Sequence, residues 1–129
     1  MTLVPWLQGR ALVWDYTCVD TMAISNSEAS GAIAGGAAEK AFKKKESKYT
    51  EIAKHFIFMP VAMETFGAWA EESLSFIRVL GRRIATRTGE PRSSTFLLQR
   101  ISVAVQKANS ISVLSTLPLT KELESLFYF

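Results

Sequence analysis

Three ionisable side chains interrupt apolar patterns in this chain, and their types are those a phosphodiester-cleaving site needs. Asp15 lies inside the run Ala-Leu-Val-Trp-Asp-Tyr-Thr. A carboxylate there is costly unless it is paired, hydrogen-bonded or bound to a metal. The alternative is a strand-end aspartate that accepts backbone N–H bonds. Lys45 falls on the row Ala38, Phe42, Tyr49 and Ile52, which recurs at helical spacing, while Lys43 and Lys44 point elsewhere. A lysine on such a row either snorkels to water or is held for a phosphate or a water molecule. Lys48 borders the same row and is the nearest substitute. Glu64 ends the apolar run Phe56 to Met63, either as a third member of a site or as a solvent-facing carboxylate at a strand mouth. If the three converge, Asp15 and Glu64 would hold Mg²⁺, which acidifies bound water and polarises a phosphate. The lysine would stabilise the transition state or position the attacking water.

Other chemistries lack their residues. His55 is the single histidine and Cys18 the single cysteine, so a histidine cage, a thiolate zinc cluster and an intramolecular disulfide are excluded. No G-x-x-x-x-G-K-[ST] or G-x-S-x-G is present. Gly31, Gly35 and Gly36 stand in an alanine-rich segment, not a phosphate loop.

The elements that would position these residues follow from periodicity. Arg10 to Thr17 alternates as a strand with apolar groups on both faces, the pattern of a sheet covered on both sides. Thr2 to Trp6 reads as part of a partner strand, with Gln8-Gly9 as the turn. Ser25 and Glu28 have capping-box spacing, ahead of a long helix from Glu28 to Lys54 weakened by its glycines. His55 to Glu64 reads as a buried strand in which Pro60 demands a bulge, an edge or a strand end. Thr65-Phe66-Gly67 is its exit turn. A helix from Ala70 to Thr86 carries the row Leu74, Ile77, Leu80 and Ile84, with Arg78, Arg82 and Arg83 off it. Gly89 and Pro91 end that helix. A further helix from Ser93 to Ser110 turns Leu97, Ile101, Ala104 and Ala108 inward, and Lys121 to Phe129 is a short helix or a loose tail. The expected architecture is a small α/β fold, a mixed sheet flanked by helices.

Composition bounds the function. The chain has 129 residues, 48% apolar and 21% charged, with a net charge of +3. That length holds one domain with a modest core, too apolar for disorder. No apolar stretch approaches the roughly 18 residues of a membrane span, and the start lacks the pattern of a signal peptide. The expectation is a nuclear or cytoplasmic protein, neither secreted nor membrane-bound. The cations are clustered: Lys40, Lys43, Lys44, Lys45, Lys48 and Lys54 crowd one segment, and Arg78, Arg82, Arg83, Arg87, Arg92 and Arg100 follow. Such clusters are either solvated helix faces or a nucleic-acid footprint. Lys43, Lys44, Arg82 and Arg83 are the candidates for backbone contacts to DNA, or alternatively RNA.

The motifs together resemble a known family. The series Pro5-Trp6, Gly9-Arg10, Leu12-Val13-Trp14-Asp15, Cys18, Asp20-Thr21, Glu39-Lys40, Lys45-x-x-Lys48-Tyr49, Phe58-x-Pro60, Glu64-Thr65-x-Gly67 and Arg82-Arg83 is similar to the C-terminal region of non-LTR retrotransposon polyproteins. There a restriction-like endonuclease of the PD-(D/E)XK type follows a reverse transcriptase. The resemblance implies a restriction-endonuclease-like sheet flanked by helices, Mg²⁺-dependent nicking of DNA, and priming of reverse transcription from the nick. It implies that Asp15 is a metal ligand, and that Lys45 or Lys48, with Tyr49, forms the helix-borne lysine motif. Restriction-like nucleases often place that lysine two residues after the strand acid, where this chain has Thr17. The family's upstream Arg/Lys-Pro-Asp element would precede Met1. The resemblance therefore implies an N-terminally truncated nuclease domain over residues 1–115, weak or inactive, with 116–129 as a tail.

Overall fold

The computed structural model describes residues 1–117. The expected terminal segment Lys121 to Phe129 lies outside the described residues.

Strands β1 (Leu12–Val19) and β2 (Ile57–Glu64) pair in parallel, with Leu12 opposite Ile57, Asp15 opposite Pro60 and Val19 opposite Glu64. Parallel neighbours require a crossover connection. It is supplied by a 3-10 turn (Ile24–Asn26) and three helices, α1 (Ser27–Ala32), α2 (Gly36–Lys48) and α3 (Thr50–His55). Beyond β2 come α4 (Glu71–Thr88) and α5 (Ser93–Leu114). The chain is thus an α/β domain with a small sheet flanked by helices, and the described sheet is a parallel pair rather than a mixed one. Its antiparallel contacts outside the strands are isolated bridges, Leu7 to Arg10 and Met63 to Trp69.

Several expected boundaries move for identifiable reasons. The single helix from Glu28 to Lys54 is three helices. Gly35, at φ 84°, breaks the first junction, where a Cβ would stand 2.6 Å from the Trp69 carbonyl oxygen. Only glycine satisfies both the left-handed backbone and that close approach. Tyr49 breaks the second junction. The Ser25/Glu28 capping box does not form, because Ser25 lies within the 3-10 turn and Asn26 precedes α1 without a side-chain cap. On α5 the inward row is Leu97, Leu98, Ile101 and Val105; Ala104 and Ala108 are exposed and line a surface cleft.

The sheet separates two apolar clusters. Leu12, Val61, Phe76 and Ile77 pack on the α4–α5 side, and Ala38, Phe42, Ala62 and Ala70 on the α2 side. Small residues at Ala37, Ala38 and Ala62, all fully buried, let α2 lie close against β2. Among the described residues no helix is long and apolar enough to cross a membrane.

The two edges of the sheet are finished differently. Ile57 N–H donates to the Ala11 carbonyl, and Thr65 N–H to that of Val19. By strand alternation, the odd residues of β2 face β1 and its even residues face outward. On that outer edge Pro60 has no N–H to offer. Ala62 N–H donates to Ser73 Oγ at 2.9 Å, Ser73 Oγ donates to the Pro60 carbonyl at 3.1 Å, and Glu64 N–H reaches the Ala68 carbonyl at 2.7 Å. The outward residues of β1 are Leu12, Trp14, Tyr16 and Cys18. The expected partner strand over Thr2 to Trp6 does not form, and Thr2 alone takes both groups of Leu12: its N–H donates to the Leu12 carbonyl and its Oγ1 accepts from Leu12 N–H. The turn that returns the chain to this edge holds Gln8 at φ 49° and Gly9 at φ 73°, as the sequence leads one to expect. The outward backbone groups of Trp14, Tyr16 and Cys18 have no partner among the described residues.

Candidate functional site

Alternation places Asp15 and Thr17 of β1 on the α2 side of the sheet, beside Pro60 and Ala62 of β2. Phe42 anchors α2 against that side, and Lys45 follows it by three residues on the same helical row. The Lys45 ammonium therefore projects along the sheet and donates to Asp15 Oδ2 at 2.6 Å. Both side chains are about one-third exposed, so the pair sits at the border of core and solvent. The hydrogen bond to Asp15 holds the Lys45 ammonium above the usual lysine pKa.

Tyr49 closes the other side of this pair. Its ring packs on Phe58 at 4.9 Å between centroids, and the Lys45 and Lys48 ammonium groups lie 5.8 and 5.0 Å from its centre. Those are cation–π distances. Asp15, Lys45, Lys48 and Tyr49 thus form one cluster, built from a strand and one helix.

Glu64 shares the α2 side of the sheet but lies four residues past Pro60, the partner of Asp15, or roughly 13 Å along the strand. It does not reach a strand mouth open to solvent. Its side chain is 2% exposed, and Oε1 accepts the N–H groups of Ala37 and Ala38 at 3.0 and 3.4 Å. These are unpaired amides of the first turn of α2, where a negative charge also meets the positive end of the helix. The same device recurs at α4: Glu39 Oε1 accepts Glu71 N–H at 2.5 Å. Two acids that could have joined a metal site instead cap helices. Among the described residues no group of three or more His, Cys, Asp or Glu side chains could hold a metal ion. Asp15 is the one acid of the proposed set that stands beside the lysine.

The basic candidates lie on different layers. Lys43 and Lys44 are exposed on α2, and neither makes an ion pair among the described residues. Arg82 and Arg83 are exposed on α4, which packs against the opposite side of the sheet. Arg83 is tied down there: its guanidinium lies 3.6 Å from the centre of the Trp6 ring and donates to the Trp6 carbonyl at 3.4 Å.

Two polar side chains not singled out from sequence shape the site's surroundings. Ser73, fully buried, bridges Pro60 and Ala62. Arg10 Nη2 donates to the Ala53 and Phe56 carbonyls, both at 2.6 Å, and so holds the end of α3 against the start of β1. A serine on the apolar face of α4 was the available signal for the first. An arginine just after a turn carries no comparable signal.

Comparison with protein-family models, with curated proteins and with solved structures returns no match.

Proposed function

We propose that this chain binds nucleic acid through the lysine face of α2, as a restriction-like domain related to those of non-LTR retrotransposons that holds its target without depending on cleavage. The observation that carries this reading is the set Lys43, Lys44 and Lys48, exposed and without ion pairs among the described residues, beside an acid–lysine pair that fixes the helix on the sheet. Free ammonium groups on one rigid helix release counterions when they meet a phosphate backbone. If about three phosphates are neutralised, affinity for a DNA duplex falls about fortyfold between about 50 and 200 mM salt. Fluorescence anisotropy with a labelled duplex measures this, and Lys43→Glu with Lys44→Glu should lower both affinity and salt slope. A salt-independent affinity would sink the reading. The same titration with RNA ranks the two polymers. A nuclear or cytoplasmic location accompanies this role.

The 2.6 Å contact between Lys45 and Asp15 favours a second reading, phosphodiester hydrolysis at that pair. Mg²⁺ belongs to this reading, with Asp15 the residue that would hold it and Lys45, or Lys48 beside Tyr49, the cation facing the phosphate. Nicking of supercoiled DNA in Mg²⁺ or Mn²⁺ tests it. Activity that survives both Asp15→Ala and Lys45→Ala would remove these residues from the role.

A further inference from the structure

We propose that two copies of this chain pair edge to edge through β1, antiparallel and centred on Tyr16, to give a four-stranded sheet. A two-stranded sheet is marginal alone, and one edge here presents six backbone groups, on Trp14, Tyr16 and Cys18, that are unpaired among the described residues. Between Leu12 and Val19 that edge has no lysine, no proline and no bulge, and its one charge, Asp15, is paired with Lys45.

The register follows from which groups are open. With Tyr16 opposite the partner's Tyr16, Trp14 faces the partner's Cys18 and the converse pair repeats by symmetry. All three outward residues of each copy then exchange both hydrogen bonds, as directly opposed antiparallel residues do. The partner's β1 ends at Val19, which falls opposite Val13, so it stops just short of Leu12, whose groups Thr2 already occupies. Charge selects the same register. On the α2 side Asp15 then faces the partner's Thr17, a hydroxyl that can donate to the carboxylate. Of the two neighbouring permitted registers, one sets Asp15 against the partner's Asp15, which is unfavourable, and the other sets Trp14 opposite the partner's Asp20, beyond the end of β1. On the other side, Trp14 and Tyr16, exposed by 48% and 47%, join into one aromatic stripe across both copies.

Assembly stops at two copies. The outer edges of the four-stranded sheet would be the two β2 edges, closed from Pro60 to Glu64 by Pro60, Ser73 and the Ala68 carbonyl, with the outward groups of Phe58 alone left over among the described residues. A two-fold pairing that consumes the long open edge and leaves outer edges interrupted by a proline and a side-chain bridge is self-limiting. The area is small: burying the exposed half of four rings covers on the order of 400 Å², against about 1,200 Å² for a standard interface. The dimer is therefore reversible and concentration-dependent, not obligate.

Sedimentation velocity of the full chain over a wide concentration range reads this directly. Wild type should shift from monomer to dimer at high micromolar concentration, while Tyr16→Lys should stay monomeric with an unchanged circular dichroism spectrum. The register has its own test, independent of whether Tyr16→Lys folds. In a Cys18→Ser background, Tyr16→Cys should form an intermolecular disulfide on mild oxidation, since opposed residues with Cα atoms about 5.5 Å apart suit that bond. Wild-type Cys18, opposite Trp14, should cross-link far more slowly. A wild type that remains monomeric throughout, species heavier than a dimer, or equal cross-linking through Cys18 alone would each overturn the proposal.

Discussion

The two strands of this sheet hold polar groups of opposite kinds. From Pro60 to Glu64 the polar groups at the outer edge of β2 have partners: Ser73 serves Pro60 and Ala62, the Ala68 carbonyl serves Glu64, and the Glu64 carboxylate serves the first turn of α2. On β1 the outward backbone groups of Trp14, Tyr16 and Cys18 have no partner among the described residues, and the one charged side chain, Asp15, is about one-third exposed with Lys45 for a partner. The difference separates a strand whose polar groups build the fold from one whose polar groups are available for recognition. Substitutions on the two strands should therefore differ in kind, with stability lost on β2 and association or binding lost on β1.

The largest effect is expected at Glu64. Glu64→Ala leaves two helix-start amides without an acceptor in a buried site and removes a charge from a helix N-terminus. A loss of about 3 kcal/mol in denaturant unfolding is expected. Glu64→Gln keeps an acceptor oxygen and should recover a substantial part of that loss. If Glu64 instead matters to a metal, both variants would unfold like wild type and differ only in divalent-ion response.

Ser73→Ala comes next. It strips the acceptor from Ala62 N–H and the donor from the Pro60 carbonyl, and should lower stability by about 2 kcal/mol, read in the same unfolding experiment. It should leave dimerisation through β1 unchanged, since the opened groups belong to the other edge. A Ser73→Ala protein that assembles beyond a dimer would show that this hydroxyl is what closes the β2 edge.

The smallest effect is expected on β1, where Asp15→Asn removes the charge that Lys45 meets. Both side chains are near solvent, so the stability change should be slight and reduced by salt. Its pH dependence has a definite sign. The folded-state pKa of Lys45 is raised by Asp15, so the pair's contribution is complete below the ordinary lysine pKa and disappears as pH rises through the raised value. Wild type and Asp15→Asn should differ at neutral pH and converge in strongly alkaline solution. A gap that persists there would show that Asp15 acts through something other than the Lys45 charge.

Much of the fold was legible in the residues because local rules applied. The alternation around Trp14 and Tyr16, the turn at Gln8-Gly9 and the stop at Gly89 each depend on a few neighbouring positions. The inward placement of Lys45 was legible from helical spacing with Phe42. The break at Gly35 was not, because what forbids a side chain there is the carbonyl of Trp69, distant in sequence. The inward row of α5 holds at Leu97 and Ile101 and departs at Ala104 for a similar reason: Ala104 and Val105 are adjacent, and which one meets the core depends on how the helix is rolled against its neighbours. Glu64 could be identified as unusual at the end of an apolar strand, but its partners are amides of α2, and no pattern in the strand announces them.

By itself, the sequence determined the periodicities: the two strands that carry Asp15 and Glu64, which face of α2 is apolar, and that Asp15 and Lys45 interrupt apolar patterns. Only the tertiary structure decided which interruptions meet. The parallel register sets Asp15 against Pro60 and under Lys45, and sends Glu64 four residues farther to a helix end. The physical reason is that local patterns fix the direction of a side chain within its own element. The partner waiting in that direction is set by register and helix packing, which no single segment encodes.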